Sequence, residues 1–419
     1  MNTLKQAFTA LESRRLPNET AQRITGLLGE HRQRYSLPLE EPCAVFSAPG
    51  RIELAGNHTD HNGGTVLASA VDMDVLAAVS PGTEGEAVLH SDLYPELFRM
   101  DVGDGEVKEE EKGTPRALIR GVIQGFRNRG VEVGGMRISL LSRVAPGSGL
   151  SSSAAFEVLL GGICNDLFAQ GSLSCVDLAI IGQEAENRYF GKPCGLMDQA
   201  VCSCGGTLLI DFKDPEPRME MIPFSFSEWG YSLYVIQTGS SHEDLSEDYT
   251  RVRMDMEACA RLFGARRLRD LSREDLLRRY ADLSEEPGGR PLLRAFHFFD
   301  EQDRVQRLAR ALKEKNLPVV LRELRGSGIS SALYLQNCHT DGNTADRGIL
   351  LAYYLSERFF TDHQLNAAVR VHGGGFAGTV LACVPQGAAQ EFQDWMGEYF
   401  GASSVIPLAV RQEGVVRLL

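Results

Sequence analysis

Apolar positions recur at helical spacing over residues 1–36, interrupted near Leu16–Pro17–Asn18, and predict two helices with Asn18 or Thr20 able to cap the second. The pattern then changes. "PCAVFSAPGRIELAG" predicts strand, turn, strand, and the β-branched, mostly apolar "TVLASAVDMDVLAAVSP" predicts buried strands. Residues 101–115, "DVGDGEVKEEEKGTP", read as an acidic, solvated loop, before an amphipathic helix over "RALIRGVIQGFRNRG" and a strand over "GMRISLLSRV". After "APGSGLSSSAA" an apolar helix runs to about Phe168, and a second, "CVDLAIIGQEAENRYF", stops at Gly191–Lys192–Pro193. Strands follow at "GGTLLIDF" and "YSLYVIQT", helices at 250–264, 302–315 and 344–360, and a late strand pair spans "AAVRVHGGGFAGTVLACVP". Interleaved strands and helices predict an α+β or mixed α/β architecture. The Pro-rich "DPEP" at 214–217 is the best candidate boundary, dividing the chain into units 1–213 and 214–419.

Length agrees with more than one unit, since 419 residues exceed what one ordinary core organises. A hydrophobic content of 43% with 24% charged residues is that of a globular chain. Against 43 basic residues stand 56 acidic ones, a net charge of −13, which argues against nucleic acid and membrane as partners. An acidic protein that handles an anionic ligand needs local backbone N–H groups or a metal. The nine cysteines form no C-x-x-C pair and predict reduced, buried thiols, hence a cytoplasmic protein. The N-terminus has no apolar signal-peptide core, and nowhere do 18 apolar residues run together.

Three glycine-rich segments carry the candidate chemistry. In "GRIELAGNHTDHNGG", residues 50–64, the polar side chains read as a structural turn closed by Asn57, Asp60 and Asn62, as a binding loop, or as a metal cluster of His58, Asp60 and His61 without a defined ligand spacing. "APGSGLSSSAAFEVLLGG", 145–162, places glycines and serines at the head of a helix, where free N–H groups form an anion site; the bland alternative is a serine N-cap. "VHGGGFAGTV", 371–380, reads as a hairpin turn or a close backbone approach to a ligand. Between them, Asp198 in "GKPCGLMDQAVCSCGG" is either a satisfied structural carboxylate or, with Arg51 as partner, a candidate base.

In this order the three segments resemble the motifs of the GHMP small-molecule kinases, and the first is similar to the galactokinase signature. "GLSSSAA", "PCGLMDQ", "LSEDYTRVR", "RRLRDLSREDL" and "HGGGFAG" continue the resemblance from about residue 41 to 385. It implies a two-domain GHMP kinase fold, a ribosomal-protein-S5-like N-terminal domain joined to a ferredoxin-like C-terminal one with the site in the cleft. It also implies ATP-dependent phosphorylation of the anomeric hydroxyl of galactose, with Mg²⁺, in a monomer or weak homo-oligomer. By resemblance, Asp198 takes the catalytic aspartate position and Arg51 the arginine beside it. Asn57, His58, Asp60, Gly195 and Tyr249 fall on sugar-lining positions. Gly147, Ser148, Gly149, Leu150, Ser151, Ser152 and Ser153 form the phosphate loop, with Ser153 and Glu186 as Mg²⁺ ligands.

The chain departs from that pattern at Asn57, where a glutamate is usual, at His61 for tyrosine, and at His372, Ala377 and Thr379 in the third motif. An amide at 57 suits galactose or a C6-modified relative such as galacturonate. A non-catalytic sugar sensor is the rival from another class, although the phosphate loop, Glu186 and Asp198 are all retained.

Overall fold

The computed structural model describes residues 1–13, 18–144, 146–239, 246–340, 342, 345–376 and 378–419. Two sheets organise them. In the larger, strands run in the spatial order Asn2–Thr3, Pro42–Ala55, Thr65–Pro81, Met136–Ser142, Glu86–Ser91, Tyr94–Asp101. All neighbours on this path are antiparallel except Glu86–Ser91 with Met136–Ser142. The hairpin Thr207–Asp211/Arg218–Met221 adds to Thr65–Pro81, and Val416–Arg417 returns to pair with Pro42–Ala55.

Both long central strands are buried on both faces, which is why their sequence reads as a nearly continuous apolar run. Alternation sorts the two sides: Cys43 and Val45 pack with Leu4, Ala7, Ile24 and Leu28 of the N-terminal helices, whereas Ala44 and Phe46 join Ala154, Val158 and Leu159 of helix Ser152–Phe168. Helices Leu4–Ser13 and Asn18–Arg34 were both expected; the break proposed at Leu16–Pro17–Asn18 lies largely outside the described residues.

The smaller sheet has the order Ala368–Val371, Thr379–Pro385, Tyr231–Gln237, Val405–Leu408, antiparallel throughout. With helices between its first and second and its third and fourth strands in sequence, it has ferredoxin-like connectivity. One face packs Ile236, Val369 and Val380 on Phe359, Phe360 and Phe392. Residues of the other face, Leu233, Val235 and Leu381, belong to a core that continues through Leu308 and Leu321 to the large sheet.

Several expectations are corrected. The turn expected inside 42–55 is a pair of register shifts in one strand, between Pro49 and Arg51 and between Glu53 and Ala55. Pairing with a neighbour 17 residues long holds the chain extended where Pro-Gly alone reads as a turn. The "DPEP" segment is the turn of the hairpin 207–221, so the large sheet continues beyond residue 213. The acidic loop is pinned, not merely solvated, because Arg120 bonds both Glu111 and Asp104 at 2.8 Å. Of the nine cysteines six are buried thiols, but Cys175 and Cys204 form a disulfide, a pairing hidden by 29 residues of separation.

His31 shows how tightly this first layer is closed. Its ring lies between the Ser139 and Ser80 hydroxyls, at 2.9 and 3.0 Å, and burial, helped by Arg137, lowers its pKa to about 4. The unfolded chain binds this proton near 6.5 and the folded one only near 4, so the stabilisation is full above pH 6.5 and is lost as the pH falls towards 4. We expect about 3 kcal/mol to disappear across that window. Urea unfolding at pH 7 and pH 4 checks this, with a flatter profile expected for His31→Asn.

Candidate active site

Gly50 precedes a buried arginine at the first register shift. A Cβ at Gly50 would sit 2.8 Å from the Leu150 carbonyl oxygen, the same oxygen that accepts the Arg51 N–H at 3.0 Å. Glycine therefore lets the strand touch the serine-rich loop. From there Arg51 donates through Nε to Asp198 Oδ1 and through Nη2 to Oδ2, each at 2.7 Å, while Nη1 reaches the Gly149 carbonyl at 2.6 Å. This is a bidentate guanidinium–carboxylate pair. Asp198 heads helix Met197–Cys204, and its side chain keeps 32% exposure. Burial pushes its carboxyl up, but Arg51, the Ser151 hydroxyl and Lys192 together hold it below the ordinary range.

The serine loop does not end in a serine cap. Ser151 occupies the N-cap of helix Ser152–Phe168 with left-handed backbone (φ 63°, ψ 60°); its hydroxyl donates to Asp198 Oδ2 and accepts no capping bond from a helix N–H. Among the described residues no side chain caps this 17-residue helix, whose N-terminus is presented by small residues, as an anion site requires. Gly147 and Gly149 both have positive φ, and a side chain at Gly149 would collide with Thr379 of the third motif. One turn on, Ser153 Oγ donates to Glu186 Oε1 at 3.0 Å; Lys192 Nζ reaches the same oxygen at 3.0 Å. Gln199 links Glu186 to a second buried carboxyl, Glu157, whose pKa burial and the charge of Glu186 raise well above normal.

On the far side of Asp198 lies the polar turn. Gly195 packs so close to Asp60 that a Cβ there would collide with Oδ2, and burial raises the pKa of the Asp60 carboxyl. His58, in left-handed backbone, bonds the Gly374 carbonyl at 2.7 Å and stacks on Tyr249 of helix Ser246–Arg261. Burial, followed by the neighbouring His61, lowers the His58 pKa to about 4, so its ring is neutral at pH 7. The "HGGGFAG" segment connects two antiparallel strands, as the hairpin reading expected, and its backbone carbonyls accept bonds from Asn57, His58 and Asn337. Ala377 lies outside the described residues.

The turn, the serine loop and the Asp198 helix thus converge. Residues 29–81 match the galactokinase galactose-binding signature, and residues 117–206 match the GHMP kinases N terminal domain. A galactokinase from Streptomyces coelicolor is 37% identical over 295 residues, 69% of this chain and 74% of its own length. One from Thermotoga neapolitana is 30% identical over 349 residues, covering 83% and 91%. The chain belongs to the galactokinase family. It is therefore an enzyme of the GHMP kinase superfamily, and its fold agrees. The structure of Lactococcus lactis galactokinase complexed with galactose superposes with a TM-score of 0.80 at 21% identity, covering 94% of this chain and 100% of that one. Methanococcus jannaschii mevalonate kinase gives 0.63 at 14%, covering 88% and 98%.

Within this galactokinase-family chain the expected site residues occupy one region, with Asn57 the exception. Its side chain is 1% exposed and turned inward, bonded to Glu53, Gly373 and Asn337. Three neighbours escaped the sequence reading: Lys192, Gln199 and Glu157. Lys192 carried a signal, as the one cation beside "PCGLMDQ"; Glu157 sat unnoticed among helix-face residues.

Proposed function

We propose that the chain transfers the γ-phosphoryl group of ATP to the anomeric hydroxyl of galactose, yielding galactose 1-phosphate and ADP. The observation that carries this reading is the Arg51–Asp198–Ser151 contact, which joins the polar turn to the phosphate loop at a partly open carboxylate. Phosphoryl transfer demands positioning and charge compensation more than covalent chemistry. Asp198 accepts the hydroxyl proton, and Arg51 keeps that carboxylate ionised and oriented. His58, Asp60, Gly195 and Tyr249 line the sugar, with neutral His58 free of charge repulsion against Arg51. Residues 147–153 and the N-terminus of helix Ser152–Phe168 hold the phosphates, and Lys192 supplies a cation beside them.

Ser153 Oγ and Glu186 Oε1 are adjacent hard oxygen donors, and Glu186 already turns one oxygen to a cation, Lys192. That donor set fits Mg²⁺, which takes few protein ligands and shares phosphate oxygens. When bound, the ion neutralises charge on the transferred phosphoryl group.

A coupled ADP-release assay with Mg²⁺-ATP tests the reading against galactose, galacturonate, 6-deoxygalactose, galactosamine, N-acetylgalactosamine and glucose. The expected result is fastest turnover with galactose. Fastest turnover with galacturonate would replace the substrate, and saturable sugar binding with no turnover would make the chain a sensor. Gly195→Ala follows from the same site. Its methyl displaces Asp60, and we expect the galactose KM to rise about tenfold, the equivalent of roughly 1.4 kcal/mol, with the ATP KM little changed. Equal galactose KM values would remove Asp60 from the sugar site.

A further inference from the structure

Glu53 and Asn57 lie four residues apart on the strand and its following turn, and their side chains meet in the interior. Asn57 Nδ2 donates to Glu53 Oε2 at 3.0 Å and to the Gly373 carbonyl at 2.7 Å, while its Oδ1 accepts from Asn337 Nδ2 at 2.7 Å. Both amide protons and the amide oxygen are engaged. The Asn57 main-chain carbonyl is held by His297 at 2.9 Å, and the preceding Gly56 N–H by Glu301, also at 2.9 Å. Glu53 is buried in turn, with Arg370 Nη2 at 3.7 Å from Oε1 and Nη1 bonded to its main-chain oxygen.

A carboxylate at position 57 has no proton to donate. It would press against Glu53 Oε2 and the Gly373 oxygen, two acceptors, where water is excluded. Glu53 Oε2 and the Gly373 oxygen together therefore demand an N–H donor at 57. The same amide ties the turn to Gly373, and the next residue, His58, is bonded to Gly374 on that loop.

We propose that Glu53 and Asn57 act as one positioning pair, which sets the pose of the His58–Asp60 turn and so the sugar affinity, and that residue 57 does not read the C6 substituent of the sugar. This rests on the sugar-kinase reading above. The departure at 57 is then the consequence of a carboxylate four residues earlier, not a change of substrate.

A double-mutant cycle of Asn57→Asp, Glu53→Gln and the two combined tests it, reading KM for galactose and ATP, kcat, and the kcat/KM ratio of galactose to 6-deoxygalactose. Asn57→Asp is expected to raise the galactose KM at least tenfold and leave the ATP KM within about twofold. In the double variant the amide introduced at position 53 offers a donor to the carboxylate introduced at position 57, and at least threefold of that loss is expected to return. The galactose to 6-deoxygalactose ratio stays within about twofold throughout. An unchanged galactose KM in Asn57→Asp, a double variant equal to the product of the singles, or a collapsed ratio each overturns the proposal. If Asn57→Asp does not accumulate, Asn57→Ala replaces it; a tenfold galactose KM rise that Glu53→Gln fails to rescue is then expected, and rescue would overturn the pair. Should no sugar turn over in the wild type, the kinase reading fails. Urea midpoints then decide the pair separately, lowered by Asn57→Asp and partly restored by Glu53→Gln, or unchanged and against it.

Discussion

Asp198→Asn is expected to lower kcat about 10³-fold, within the range for removing a positioned general base, while both KM values stay within about threefold. The carboxylate receives two bonds from Arg51 and one from Ser151, so an amide of the same shape keeps the outline of the site. What it loses is the capacity to take a proton. It also turns an N–H₂ group toward a buried guanidinium, so Arg51 is left facing a donor. Steady-state kinetics at saturating galactose and ATP, with circular dichroism to verify folding, provide the measurement. A variant that retains a tenth or more of wild-type kcat would show that proton transfer does not depend on Asp198.

The largest loss of stability is expected at a residue away from the chemistry. Glu301, on the long helix Gly289–Lys313, is wholly buried. Its Oε2 accepts the Gly56 N–H at 2.9 Å and the Ser327 hydroxyl at 3.0 Å, and Oε1 is bonded by Arg304. Burial alone would raise its pKa, but Arg304, His297 and Arg370 hold it below normal, so the side chain remains ionised through neutral pH. Glu301→Ala strands a largely buried guanidinium and two donors, and we expect a loss of about 3–5 kcal/mol. Glu301→Gln should cost less, since an amide oxygen in place of Oε2 still accepts the Gly56 N–H and the Ser327 hydroxyl. Because the folded pKa is depressed, this contribution is present above the unfolded carboxyl pKa and is lost as the pH falls below it. Urea unfolding at pH 7 measures the difference; a change below about 1 kcal/mol would show that the bonds to Glu301 carry little stability.

Much of the molecule is legible in local pattern. Helix Ser152–Phe168 ends where the apolar run ends, and its head is marked by glycines whose positive φ is a local requirement. The strand pairs around "CAVFSAP", "TVLASAV" and "TVLACVP" follow from β-branched, apolar composition. Failures fall where a distant neighbour outvotes local preference. Pro49–Gly50 predicts a turn, yet the long partner strand keeps the chain extended and absorbs the pair as a bulge. "DPEP" predicts a boundary, yet its flanks pair with each other within the sheet.

The polar residues divide the same way. Residue types and spacing mark a polar turn, a candidate anion loop and an acidic residue, because glycine geometry and helix ends are properties of neighbouring residues; that they form one site is what the resemblance to the GHMP kinases implies. The Arg51–Asp198 pair, 147 residues apart, is an expectation of the sequence; that Lys192 leans on Glu186 and that Asn57 turns inward to Glu53 and Asn337 was left to the fold. A buried polar group must bond with whatever chain closure brings within about 3 Å of it. No local pattern encodes that distance.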